Sequence, residues 1–184
     1  MEGSVDEFNS GYYKHCREAE CAEYFGASDR AKVAGMVDYL RATYQCGRAL
    51  AGWGEIKARY GSYPLDGIGQ HLYIDQGGAT NESNLSAYLQ DVRDAYAAFE
   101  GRNTDKQTFV TEFGWATNAI TPALQAANLR VACDTFRRTP YVAQAYWAGI
   151  QDIPAAELYF GLARSDGSLK PAFAAYQAAT SPTP

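Results

Sequence analysis

The chain has 184 residues, 47% hydrophobic and 20% charged, which fits one globular domain or at most two small ones and excludes a largely disordered chain. No apolar run approaches the ~20 residues that cross a bilayer, so no membrane span is expected. With 16 Lys and Arg against 21 Asp and Glu, the net charge of −5 gives no general attraction to nucleic acid or an anionic membrane.

The opening Met1–Glu7 stretch is acidic and lacks the apolar run of a signal peptide. On this reading the chain is either cytosolic or a mature or truncated part of something longer. Residues 11–25 are polar and aromatic, a loop with a short helix. Cys16, Cys21 and Cys46 are close enough in sequence for a disulfide, but four cysteines, with Cys133, are few for this length, and free buried thiols remain the other reading. His15 beside Cys16 and Cys21 lacks the spacing of a zinc site.

Ser28 is a candidate N-cap for a helix carrying Val33, Met36, Val37, Leu40 and Tyr44 at helical spacing, with Gly47 as its stop. Residues 48–53 (RALAGW) then read as a short strand, residues 55–60 as one or two helical turns, and residues 65–74 (LDGIGQHLYI) as a second strand. The clearest helix follows, with Leu85, Tyr88, Leu89, Val92, Tyr96 and Phe99 on one face, Ser83 or Asn84 as cap and Gly101 as stop. Residues 108–112 (TFVTE) form a compact strand. Thr121-Pro122 opens a helix to about Arg138, residues 141–147 (YVAQAYW) form another strand, and residues 171–179 a last amphipathic helix. This alternation predicts βα units around a parallel sheet, with residues 180–184 as a Ser/Thr/Pro tail or linker start.

Nucleotide-binding glycine loops, the serine-hydrolase elbow and the zinc-protease motif are absent. Two histidines, His15 and His71, leave few candidates for the base of a nucleophilic triad. What remains is carboxylates at strand ends. Glu112 is the strongest, because the C-terminal rim of a parallel sheet is where such folds bind ligands. A glutamate at a strand end is otherwise a solvated surface acid, and His71 and Trp147 taken alone are ordinary core residues.

The residues around Glu112 add a resemblance. Thr111-Glu112-Phe113-Gly114-Trp115 resembles the seventh-strand motif of clan A glycoside hydrolases, retaining (β/α)8-barrel enzymes in which this glutamate is the nucleophile. His71-Leu72-Tyr73 resembles the sixth-strand His-x-Tyr, Ala145-Tyr146-Trp147 the eighth strand, and residues 167–171 (GSLKP) the end of the eighth unit. The similarity runs in register over roughly residues 48–178. It implies a partial TIM barrel of about five βα units over residues 1–179. It also implies a β-linked carbohydrate substrate, action outside the cell, and neither cofactor nor metal. Tyr73 would donate to Glu112, His71 would help bind substrate, and Trp147, with Trp115 or Trp53, would stack on sugar rings.

The family's acid/base glutamate sits in an Asn-Glu-Pro motif. The corresponding place here is Asp6-Glu7-Phe8-Asn9, which departs at both neighbours of Glu7. An ionised Asp6 accepts hydrogen bonds where the asparagine would donate. Glu7 is thus either the acid/base or a surface acid. A full barrel takes about 250 residues, so the first three strands have no counterpart, and open sheet edges that favour self-association are expected.

Overall fold

Among the expected strands three form and one does not. The computed structural model describes residues 29–181. Its first helix, α1 (Asp29–Leu50), runs straight through Gly47, and after a turn at Gly52 (φ 67°) the short α2 (Trp53–Tyr60) follows. The strand expected at 48–53 is therefore helix and turn. A strand there would have no apolar face to bury, since Leu50 is 85% exposed. Gly47 is not a stop but a gap in the helix surface: a Cβ there would lie 2.2 Å from Cδ2 of Trp53. The indole folds back over this gap onto Tyr44 and Tyr63, with ring centroids 6.0 and 6.2 Å away.

Strand β1 (Gly67–Leu72), helix α3 (Glu82–Glu100), β2 (Gln107–Phe113), α4 (Pro122–Arg138) and β3 (Val142–Trp147) follow, and α5 (Pro171–Thr180) closes the described chain after a 3-10 turn at Pro154–Ala156. The cap of α3 is Asn81, not Ser83 or Asn84: its side chain accepts from the Asn84 amide at 2.9 Å, which satisfies one of the orphan N–H groups of the first turn. Thr121 caps α4 in the same way, with Pro122 in the first turn as expected.

The strands are parallel in the order β1-β2-β3, an open α/β sheet among the described residues rather than a closed ring. Leu72, Val110 and Phe113 pack against Leu85 and Leu89 of α3 and Ala132 and Phe136 of α4, giving the main core. Burying each of the larger apolar side chains stabilises the fold by about 1.5–3 kcal/mol. A second core joins α1 to α3 through Val37, Tyr44, Ile68, Val92 and Tyr96. Gly69, His71 and Thr111 alternate with these buried strand residues and are exposed.

At the N-terminal end of the strands lies a buried polar knot. Glu100, at the end of α3, accepts the Tyr44 hydroxyl at 2.9 Å and the Tyr63 amide at 3.3 Å, and stands 3.4 Å from the Lys106 ammonium. Lys106 also donates to the carbonyls of Tyr63 and Leu65. The Glu100 and Lys106 side chains are 1% and 6% exposed, so the pair is desolvated but its polar atoms are partnered.

Candidate active site

Strict alternation along β2 would send Glu112 to the same face as Thr108 and Val110, both wholly buried against the helices. A bulge prevents this. Gln70 pairs with Val110 but His71 pairs with Glu112, so Thr111 is an extra residue on β2. The insertion re-aims everything after it. Glu112 joins His71 and Thr111 on the open side, while Phe113 takes over the helix-facing side.

Tyr73, one residue past β1, reaches across and donates its hydroxyl to Glu112 Oε2 at 2.8 Å. His71 Nδ1 lies 3.3 Å from the same oxygen. The Glu112 side chain remains 46% exposed, open to a solute approaching the C-terminal rim. Burial, then the bond to Glu112, then the charge of that carboxylate push the Tyr73 phenol well above its ordinary pKa. It stays protonated at neutral pH, as a fixed donor to Glu112.

The loop after β1 is tightly latched. Asp75 takes a left-handed conformation (φ 51°), uncommon for a residue other than glycine, and its carboxylate accepts from Thr80 Oγ1 at 2.7 Å and Asn84 Nδ2 at 3.2 Å. Gln76 Nε2 donates to the Gly114 carbonyl at 2.7 Å, tying this loop to the exit of β2.

Trp115 and Trp53 depart from the stacking expectation. Trp115 is fully buried, so it presents no ring face to a sugar. Trp53 belongs to the α1–α2 cluster with Tyr44 and Tyr63, away from the strand ends that carry Glu112. Trp147 ends β3 in register with Phe113, packs edge-on against it at 5.3 Å and donates Nε1 to the Phe160 carbonyl at 2.8 Å. It is half-buried, packed against the main core. Glu7 lies outside the described residues.

Phe160 was not legible as a site residue. Its ring meets that of Tyr73 edge-on, with centroids 5.4 Å apart. The sequence carries no local signal for this contact, because 86 residues of chain separate the two and Phe160 lies in an irregular loop. Among the described residues no group of three or more His, Cys, Asp or Glu side chains is placed to hold a metal.

No family model matches the sequence, and no curated protein does. Solved glycoside hydrolases of clan A match part of the fold. A variant of a GH5_18 protein from Bifidobacterium longum subsp. longum, in complex with Manβ1-4GlcNAc, aligns at 22% identity and TM-score 0.49 over 63% of this chain and 31% of its own. A family 39 glycoside hydrolase from Bacteroides cellulosilyticus aligns at 27% identity and TM-score 0.48 over 62% and 26%. A GH128 endo-β-1,3-glucanase from Amycolatopsis mediterranei aligns at 19% identity and TM-score 0.48 over 69% and 49%. The chain thus spans between about a quarter and a half of the length of these structures.

Proposed function

We propose that this chain carries the nucleophile half of a retaining glycoside hydrolase site, acting outside the cell on a β-linked glycan, and that its sheet is the C-terminal part of a (β/α)8 barrel. The observation that carries the reading is the Tyr73–Glu112–His71 arrangement: an exposed carboxylate at the C-terminal rim of a parallel sheet, held on one oxygen by a phenol that stays protonated.

The chemistry follows from those groups. The Glu112 carboxylate attacks the anomeric carbon as the bond to the leaving oxygen breaks, which gives a glycosyl ester on Glu112. The Tyr73 hydroxyl fixes the carboxylate's orientation and, because it remains neutral, adds no repulsion to it. Water then attacks the anomeric carbon and releases Glu112. A natural leaving group needs a proton in the first step, and the water needs a base in the second. The retaining geometry sets that second carboxyl ~5–5.5 Å away, and Glu7 is the residue proposed for it.

The altered residues around Glu7 favour a second reading: a carbohydrate-binding remnant without turnover. An aryl glycoside with a good leaving group separates the two, because it needs the nucleophile but little acid assistance. Release of the aryl alcohol by the full chain, lost in Glu112→Gln, supports the enzyme. Sugar binding without release supports the remnant.

A further inference from the structure

The exit loops of β2 and β3 meet around a buried charge pair that the reaction above does not use. Lys170, just before α5, and Asp152 have side chains 1% and 7% exposed. The ammonium carries three protons and has three acceptors: Asp152 Oδ1 at 2.7 Å, Thr117 Oγ1 at 2.8 Å and the Tyr159 carbonyl at 3.2 Å. Asp152 Oδ1 also accepts the Gly161 amide at 2.9 Å. Replacing a buried ion pair by apolar residues is often neutral or stabilising, so stability is a weak reason for one.

What the pair holds is Phe160. Lys170 grips the residue before it and Asp152 the residue after it, and the Thr117 amide adds a bond to the Tyr159 carbonyl at 3.0 Å. Gly161 has no room for a side chain, since a Cβ would lie 2.4 Å from the Asp152 amide nitrogen. From this anchored position the Phe160 ring lies edge-on to Tyr73, and its carbonyl receives the Trp147 N–H. The ring also approaches Gly114 so closely that a Cβ there would sit 3.2 Å from it.

We infer that Asp152 and Lys170 are positioning residues which, through Phe160, hold the Tyr73 hydroxyl against Glu112. The inference rests on the glycosidase reading for its consequence in catalysis, but not for the geometry itself. It links the last βα unit to the nucleophile, so Glu112 has its full geometry only when the segment through residue 170 is docked.

The test follows Tyr73 directly. In the full chain labelled with 13C at the tyrosine Cζ, the Tyr73 resonance is identified by its loss in Tyr73→Phe. Lys170→Met combined with Asp152→Leu replaces the pair by apolar side chains, and Asp152→Asn keeps the shape without the charge. Neither adds nor removes an aromatic ring near Tyr73. The Tyr73 resonance is expected to move toward that of an exposed tyrosine in the double variant and part of the way in Asp152→Asn. Arg138→Ala, which cuts the exposed pair with Glu82, is expected to leave it in place. Labelling of Glu112 by a 2-fluoro glycoside should slow by about tenfold to a hundredfold in the double variant.

An unmoved Tyr73 resonance in a folded double variant overturns the inference. If the double variant does not fold, an unmoved resonance in Asp152→Asn does so. A shift of equal size in Arg138→Ala also overturns it, since the effect would then be general loosening. If the unaltered chain is never labelled, the glycosidase reading fails, while the resonance still decides the positioning role.

Discussion

Two glutamates in this molecule accept a tyrosine hydroxyl at nearly the same distance, 2.9 Å from Tyr44 to Glu100 and 2.8 Å from Tyr73 to Glu112. Each also has a basic side chain 3.3–3.4 Å away, Lys106 in one case and His71 in the other. The difference is water. The Glu100 side chain is 1% exposed at the N-terminal end of the sheet, and that of Glu112 is 46% exposed at the C-terminal end. The same pair of groups therefore makes a closed structural joint at one end and leaves a carboxylate open to solutes at the other, which is what the proposed nucleophile requires.

The largest effect that sharpens this contrast comes from Lys106→Met. It leaves the Glu100 charge buried without its cation, and urea unfolding should report a loss of about 3–5 kcal/mol. Next is Tyr44→Phe, which removes one donor from the same carboxylate and should cost about 1–3 kcal/mol in the same assay. Tyr73→Phe should cost less stability, about 0.5–1.5 kcal/mol, because water can replace the lost donor at the exposed Glu112.

A smaller effect appears with pH. Burial, followed by the bonds to Glu100 and Glu112, raises both phenols above their ordinary value of 10.0. A raised pKa stabilises the folded state fully below the unfolded value and is lost as pH rises through the folded one. Unfolding free energy measured across an alkaline series should thus hold its tyrosine contribution up to about pH 10 and decline above it. The decline should flatten in both Tyr44→Phe and Tyr73→Phe. The smallest change is expected for Glu112→Gln, within about 1 kcal/mol of the parent. If Glu112→Gln instead destabilises as much as Lys106→Met, the carboxylate is structural and the contrast breaks.

Much of the rim was legible in the sequence. The β2 and β3 strands show in β-branched and aromatic runs, the α4 start in Thr121-Pro122, and the Tyr73–Glu112 contact in the resemblance of two short motifs. Where local pattern failed, distant contacts had won. Gly47 reads as a helix stop until Trp53 occupies the space above it, and residues 48–53 read as a strand until Leu50 is found without anything to cover it. The bulge at Thr111 has no signal in a run that alternates well, yet it decides which way Glu112 faces.

The tyrosine contacts of Glu100 join residues 37 and 56 apart, and a local hint at the knot is an acid at a helix C-terminus, where the helix dipole disfavours it. Trp115 was misread because an aromatic beside a motif that resembles a catalytic one looks like a platform in sequence. Only packing shows that its ring is enclosed, with the carbonyl of the same residue taken by Gln125 at 2.8 Å.

The central claim is that Glu112 is a nucleophile, and covalent labelling tests it most directly. Incubation of the full chain with activated 2-fluoro-β-glycosides of several sugars, followed by proteolysis and mass spectrometry, should place one glycosyl group on the peptide that contains Glu112. The label should be absent in Glu112→Gln and slower to form in Tyr73→Phe. Labelling at another carboxylate, or equal labelling in Glu112→Gln, would contradict the account.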